Sequence, residues 1–415
     1  MSDFRDQARA AEHAIRDLFP STPLQRNDHI SALYDADILL KREDLSPVRS
    51  YKLRGAMNAM RKVLADTPEQ TRFVCASAGN HAQGVAFVCR HFGVDGTIFM
   101  PVTTPAQKIN KTRVFGGDRI RIELIGDYFD ATLRAAQDYC AKSGAHFLSP
   151  FDDPDVIEGQ SSVGVEIVDA LGEPPEVLIM PVGGGGLSAG VIAYLNAIEA
   201  KTEVHLIEPE GGRSLRKALE AGAPVALDHV DNFVDGAAVA CVGTAPFQVL
   251  RDTPLSRVHS VSEDRLCSTI LEMLNIEGIV LEPAGALSVD ALKDLRDVVR
   301  GRTCVCVTTG GNFDFERLPE VKERSQRFLG LKKYFILRLP QRPGALKDFL
   351  QMLGPDDDIA RFEYLKKSAR NFGSVLIGIE TGTAENFDRL FGQMQQQGFS
   401  YRDITNDEIL SQFLI

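Results

Sequence analysis

The sequence predicts an α/β protein with a mainly parallel, helix-covered sheet, followed by a small α+β domain of ferredoxin-like order. Two observations carry this. Short apolar runs, RFVCASA (72–78), GTIFMPV (96–102), RIRIELI (119–125), EVLIMPV (176–182), EVHLIEP (203–209) and TCVCVTT (303–309), alternate with amphipathic helical segments. That alternation is the pattern of parallel strands joined by crossover helices. Near residue 325 the order changes. After PEVKERSQRF come a strand KKYFILRLP (332–340), the turn QRPG, a helical KDFLQML, the strands RFEYLKK and SVLIGIE, a helix over 385–397 and a last short strand near Tyr401. This β-α-β-β-α-β order is ferredoxin-like, in a tail of roughly 85 residues.

Length and composition bound the function classes. The 415 residues suit two or three domains. With 44% hydrophobic and 25% charged residues, the chain reads as an ordinary soluble globular protein. A net charge of -11, with both signs interspersed, argues against nucleic acid and anionic membranes as partners. No stretch approaches the ~18 apolar residues of a membrane span. The N-terminal MSDFRDQARAAEHAIRDLF is an amphipathic helical pattern of mixed charge without a signal-peptide core, so a cytoplasmic protein is expected. The seven cysteines, odd in number and without zinc spacing, read as reduced core residues, including the Cys304-x-Cys306 pair. The eight histidines are scattered, and no metal is expected.

In chain order, the first stretch that bears on chemistry is LSPVRSYKLRGAMNAM (45–60). Leu53, Ala56, Met57 and Met60 recur at i, i+3, i+4 and i+7, which predicts a helix from about Ser50 with those residues facing the core. Lys52 lies one residue off that stripe. Its own face, through Gly55, Ala56 and Ala59, carries so little bulk that a flat group could lie against the backbone. A helix-end lysine is ordinarily solvated; a buried one is a candidate nucleophile. The second stretch, SAGNHAQG (77–84), is expected as a loop between a strand (FVCA) and a helix (VAFVCRHF). Gly79 permits a tight turn, Ser77 and Asn80 offer side-chain hydrogen bonds, and the first N–H groups of the helix suit a carboxylate. His81 reads first as a capping or packing residue and second as a chemical one.

Gly183, Gly184, Gly185 and Gly186 follow the strand EVLIMPV and open the helical LSAGVIAYLNAI. Bare backbone at a helix N-terminus suits a phosphate. Which phosphate stays open at this level. Gly184, Gly186 and Ala189 fit G-x-G-x-x-A, and Glu208 ends a later strand where a dinucleotide fold puts its ribose carboxylate, a reading that implies NAD. The missing G-K-[ST] ending excludes a P-loop.

SYKLRGA, SAGNHAQG, PVGGGGL, EPAGAL (282–287) and TTGGN (308–312), in that order, resemble the fold-type II pyridoxal phosphate enzymes, and within them the biosynthetic threonine dehydratases. KKYFILRLPQRPGAL and DDDIARFEYLKK resemble that family's C-terminal ACT-like regulatory domain, so the likeness runs through almost the whole chain. It implies two open twisted α/β sheets in a catalytic domain over 1–325, with a small subdomain of roughly 53–150 inserted, and an ACT-like domain over 326–415.

The resemblance also implies pyridoxal 5'-phosphate as cofactor, with Lys52 as the Schiff-base lysine and its small-residue face admitting the ring. Tyr51, where many relatives carry Phe, would pack near the ring. Gly183, Gly184, Gly185, Gly186 and Leu187 would hold the phosphate, Asn80 would bond the ring's 3-hydroxyl, and Thr309 would face the pyridine nitrogen. Ser77, Gly79, Asn80 and His81 would surround the substrate carboxylate. Glu282 would approach the cofactor's edge, while DDPD (152–155) and Asp235 read as turn or packing elements. A neutral Thr309 hydroxyl does not hold the ring nitrogen protonated as an aspartate would, which favours prompt loss of a β-leaving group over racemisation or transamination.

The implied reaction is elimination from L-threonine, and more weakly L-serine, to 2-oxobutanoate and ammonia, the committed step to isoleucine. By the same resemblance, Ala78 stands where the serine racemases of this fold have a second serine serving as the acid on the opposite face, and it has no proton to give; Ser214 stands where racemases and some dehydratases have a carboxylate that pairs with the position of Glu208 to bind a divalent cation. The tail implies feedback inhibition by isoleucine, with valine as a second candidate effector, and a homo-oligomer, tetramer or dimer. The QRPGA turn, with Pro343 and Gly344, is the expected place for the effector's polar groups. An amino-acid-sensing protein with an inactive catalytic half is the remaining reading, and an intact Lys52 speaks against it.

Overall fold

The apolar runs become parallel strands because they are buried on both faces, which requires helices above and below the sheet. The computed structural model describes residues 3–365 and 372–407, and the chain divides into two units, 1–314 and 315–415. The described strands of the first unit are β1 (Leu24–Arg26), β2 (Asp37–Arg42), β3 (Arg72–Ala76), β4 (Asp95–Met100), β5 (Ile120–Leu124), β6 (His146–Phe147), β7 (Val177–Pro181), β8 (Glu203–Pro209), β9 (Val258–Val261) and β10 (Thr303–Thr308). One sheet has the order β1-β2-β10-β7-β8-β9 and a second the order β5-β4-β3-β6. Every pairing is parallel except β1 with β2. All the expected runs of this unit are strands. β1, β2, β6 and β9 were not expected: they are short, or, like β2, end in charged residues.

The helix carrying Lys52 spans Lys52–Asp66, with Tyr51 as its N-cap. Its stripe packs as the spacing predicts: Leu53, Met57 and Met60 join Phe73, Cys75, Val85 and Ile98 in one core cluster. The small-residue face is a different matter. A Cβ on Gly55 would overlap Gln160, and one on Gly159 would lie 2.6 Å from Arg54 O and 2.8 Å from Gly55 Cα. Glycines 55 and 159 let this helix and the helix Pro154–Leu171 meet backbone to backbone. The face expected to admit a flat ring is therefore filled by protein.

A buried ion cluster fixes the same helix. Arg54, fully buried, forks onto two carboxylates: Nε and Nη2 reach Glu43 at 2.8 and 2.9 Å, and Nη1 and Nη2 reach Glu166 at 2.8 and 2.8 Å. Lys41 adds a second cation to Glu166. Burial pushes the Lys41 amine down. Burial alone would raise Glu166, but Arg54 and Lys41 hold its carboxyl down to about 2. Arg16, partly exposed, reaches the same Glu166 from outside, so three cations surround two buried carboxylates, and each charge has a partner, the condition under which charge is tolerated in a core.

In the second unit β11 (Lys332–Pro340), β12 (Asp358–Leu365), β13 (Phe372–Glu380) and β14 (Ser400–Asp403) form an antiparallel sheet in the order β12-β13-β11-β14. With the helices Ala345–Leu350 and Glu385–Gln396 they give the expected β-α-β-β-α-β order. Phe335, Leu337, Phe349, Val375, Ile377 and Phe387 are among its core residues. Lys366 and Lys367, at the end of the expected strand RFEYLKK, lie outside the described residues.

Candidate active site

In an open parallel sheet ligands meet the carboxyl ends of the strands. The loops leaving β2, β10 and β7 there carry Lys52, Thr309 and the glycine run. Two of these loops are stitched together by backbone. Tyr51 N donates to Thr309 O at 3.2 Å, Gly311 N donates to Arg49 O at 2.9 Å, and Ser50 bridges Gly310. Lys52 and Thr309 are thereby held on neighbouring segments.

The Lys52 ammonium end donates to Pro150 O at 2.9 Å and lies 5.2 Å from the Tyr51 ring centroid and 5.9 Å from that of Phe151. Loss of water around it pushes the amine down to about 8, against a raising influence from Glu282. A helix N-terminus also disfavours a cation. Two residues upstream, the buried Ser50 hydroxyl has no hydrogen-bond partner among the described residues. Tyr51 is half-buried beside the core, and burial pushes its phenol up.

The glycine run needs its glycines. A Cβ on Gly183 would lie 3.0 Å from the Ala237 backbone, and one on Gly184 would overlap the Phe151 ring. One on Gly186 would lie 3.0 Å from Phe151 Cβ, and Gly185 takes a left-handed φ of 88°. The helix Gly186–Ala197 starts in this loop without a side-chain cap, so its first N–H groups are left for an anion. Leu187 has its side chain in the core and offers the loop only backbone. Phe151, which touches Gly184 and Gly186 and faces Lys52, puts the anion cradle and the amine side by side.

SAGNHAQG is only half a loop. Its helix starts at Asn80, not Val85, and spans Asn80–Phe92 with Gly79 as N-cap. The Gly79 N–H donates to Ser77 Oγ at 3.2 Å, and a Cβ on Gly79 would meet nothing within 4 Å. Open space thus lies before a helix start. His81 is buried, with Nε2 2.9 Å from Leu148 O; burial and the nearby Lys52 charge push its imidazole down to about 3, so it is neutral.

Asn80 faces the other way, donating from Nδ2 to Glu282 Oε1 at 2.6 Å. Burial, with Asp235 adding to it, raises the Glu282 carboxyl to about 7 against the Asn80 bond and Lys108 and Lys111. Thr309 is buried at the end of β10.

A lysine shed of water, an anion cradle of bare backbone, an unpartnered buried hydroxyl and an open helix start form a donor set that fits pyridoxal phosphate. The dinucleotide reading loses its acid. Glu208 is fully buried and accepts from Leu215 N at 2.6 Å and Arg216 N at 3.0 Å, capping the helix Ser214–Ala221. Asp153 caps the helix Pro154–Leu171, Asp152 accepts from Ala245 N at 2.8 Å, and Asp235 pairs with Lys108, in keeping with turn and packing roles.

Sequence reasoning missed Phe151, whose place depends on glycines 33 and more residues away. It also passed over Arg54, Lys111 and Asn312, although Arg54 and Asn312 lie inside quoted motifs. All seven cysteines are free, and Cys304 and Cys306 are buried. Among the described residues no helix is long and apolar enough to cross a membrane.

Residues 15–310 match the family described as pyridoxal-phosphate dependent enzyme, and residues 323–414 match the C-terminal regulatory domain of threonine dehydratase. The chain is 46% identical over 406 residues to the L-threonine dehydratase biosynthetic IlvA of Bacillus subtilis, covering 98% of this chain and 96% of that one. To the protein of the same name from Halalkalibacterium halodurans it is 43% identical over 406 residues, covering 98% and 97%. Among solved structures it is similar to the processed form of threonine deaminase isoform 2 from Solanum lycopersicum, with a TM-score of 0.72 and 33% identity, covering 78% of this chain and 89% of that one.

Proposed function

The chain belongs to the pyridoxal-phosphate dependent enzymes, and from that premise we propose that Lys52 both carries the cofactor and moves the proton of the reaction. The activity is that of a threonine ammonia-lyase: L-threonine loses its α-proton and β-hydroxyl as water, and the enamine released is hydrolysed through its imine by a second water, which supplies the 2-oxo oxygen, to 2-oxobutanoate and ammonia. L-Serine is the weaker substrate we propose. The observation that carries the Lys52 reading is an amine held down to about 8 beside a bare-backbone anion cradle.

Bound there, the cofactor supplies a sink for the electron pair left at the substrate's α-carbon. The residues do the rest. With its amine near 8, about a tenth of Lys52 is neutral at pH 7, against far less for an ordinary lysine, so it can take the α-proton. The N–H groups from Gly183 to Leu187 would hold the phosphate. Thr309 would offer the ring nitrogen a neutral hydroxyl, Tyr51 would pack near the ring, and Asn80 would give its amide to the 3-oxygen. Ser77, Gly79, Asn80 and the backbone at His81 receive the substrate carboxylate in the open space before the helix. His81 itself, neutral and bonded to Leu148 O, is a wall of that space and not an acid.

The test is the visible spectrum of the full-length protein and of Lys52→Ala with added pyridoxal phosphate, together with 2-oxobutanoate formation from L-threonine. A visible band that needs Lys52, and turnover falling by at least about 10³-fold without it, are expected. A wild-type protein that stays colourless would refute the assignment.

For the regulatory part we propose residues 326–415 as a domain that binds isoleucine, with valine as a competing effector. A cleft lined by Leu339, Pro340, Arg342, Leu350, Phe362 and Tyr364 supports this, since it joins apolar walls to a guanidinium at the QRPGA turn. A homotetramer or homodimer in the cytoplasm completes the proposal.

A further inference from the structure

Beside the site a line of hydrogen bonds runs in one direction. Lys111 Nζ donates to Asn312 Oδ1, Asn312 Nδ2 donates to Asn80 Oδ1 at 2.7 Å, and Asn80 Nδ2 donates to Glu282 Oε1 at 2.6 Å. Every donor points from the cation toward the carboxylate, so each bond polarises the next. A carboxamide has one accepting and one donating end. Turning Asn80 over would set its oxygen against Glu282 and its nitrogen against the nitrogen of Asn312. Asn312 is pinned in turn by a second donation from Nδ2 to Val48 O at 2.9 Å.

The segments are shaped for this meeting. A Cβ on Gly310 would overlap the Glu282 carboxylate, and one on Gly311 would lie 2.9 Å from Val280 O and 3.1 Å from Asp44 Cβ. Only bare backbone lets the TTGGN loop pass beneath Glu282 and deliver Asn312 to Asn80. Lys111 comes from the helix Ala106–Gly116, and Glu282 is the N-cap of the helix Pro283–Asp290. Lys108 (paired with Asp235), Arg49 and the Lys52 amine also act on this line. An amide nitrogen carries two hydrogens; Glu282 takes one, and the other is available to an acceptor in the site.

We propose that Asn312 and Lys111 are positioning residues of the elimination, locking the Asn80 carboxamide with its nitrogen toward the cofactor's phenolic oxygen. The inference rests on the reading of Lys52 and Asn80 given above. Neither residue touches the reacting atoms. They act through Asn80, and a donor of fixed direction tunes the protonation of the bound chromophore.

The experiment compares absorption spectra of the full-length holoenzyme at one neutral pH for wild type, Asn312→Ala, Lys111→Ala and Lys111→Arg, with cofactor content measured after release in alkali. At equal cofactor content, the ratio of visible to near-ultraviolet absorbance is expected to change by about 3- to 10-fold in both alanine variants, the worth of one misdirected hydrogen bond. kcat falls by a similar factor with KM little moved, and Lys111→Arg, which keeps a cationic donor, restores the ratio. An unchanged ratio in Asn312→Ala overturns the proposal, as does a ratio altered equally by Lys111→Arg. Should Asn312→Ala fail to fold, Lys111→Ala, at a half-buried position, decides the matter by the same ratio. A wild-type protein without any visible band overturns the Lys52 assignment instead, so the two failures are distinct.

Discussion

Replacing Arg54 by Met is expected to destabilise the first unit by about 3–5 kcal/mol, the usual cost of leaving a buried charge without its partner. The structure supports the upper part of that range. Arg54 makes two forks, onto Glu43 and Glu166, and its loss leaves two buried carboxylates with Lys41 as the remaining fully buried cation. The pairing also sets a pH dependence: against burial, which would raise it, Arg54 and Lys41 together hold the Glu166 carboxyl well below its ordinary value, down to about 2. The sign follows from the direction. A carboxyl depressed in the folded state stabilises above its unfolded value and loses that contribution as pH falls, here between about pH 5 and pH 2. Urea titration followed by circular dichroism reads both effects. With a slope of about 3 kcal/mol per molar, the midpoint should drop by about 1–1.7 M at neutral pH, and the gap between variant and wild type should narrow on acidification. A midpoint lowered by less than about 0.3 M, or a gap independent of pH, would show that the cluster does not hold the Lys52 helix as argued.

Three further outcomes follow from the site. Capture of pyridoxal phosphate by the apoprotein, followed by stopped-flow absorbance, should accelerate with rising pH around a midpoint near 8, because only the neutral Lys52 amine attacks; a midpoint near that of an ordinary lysine would contradict its desolvation. Gly184→Ala should weaken cofactor binding by at least about 10-fold in an equilibrium titration, since its Cβ would overlap the Phe151 ring and overpacking costs about 1–3 kcal/mol; an affinity like wild type would mean that the loop adjusts freely. Removing residues 326–415, or making Arg342→Ala, should abolish or weaken the response of threonine turnover to isoleucine, and full sensitivity in the truncated chain would defeat the proposed role of the second unit.

Much of the fold was legible because it depends on short-range pattern. The apolar runs that became β3, β4, β5, β7, β8 and β10 are continuous and bounded by polar turns, and the tail's strands and helices alternate cleanly. The start of the Asn80 helix was not legible, because Asn80, His81 and Gln83 are polar and no apolar periodicity begins before Val85. Lys52 and the glycine run stood out as residue types in unusual places. Their effect on each other depends on Phe151, which becomes significant only when the chain returns to the site. Arg54 shows the same limit most plainly. It looks like a helix-surface residue by type, yet its partners lie 11 and 112 residues away, and only folding turns it into the core's charge anchor. The small-residue face of the Lys52 helix was visible but misassigned, since Gly159, which fills it, carries no side chain to betray a contact.

The chain contains no tryptophan and eight tyrosines. Its ultraviolet emission is therefore tyrosine light alone, and one of the emitters, Tyr51, has its ring 5.2 Å from the Lys52 amine. A coloured group seated on that amine sits almost in contact with a native fluorophore and drains its excited state. Filling and emptying of the site can then be followed in the unlabelled wild-type protein, with Tyr51→Phe as the control that removes the nearest emitter.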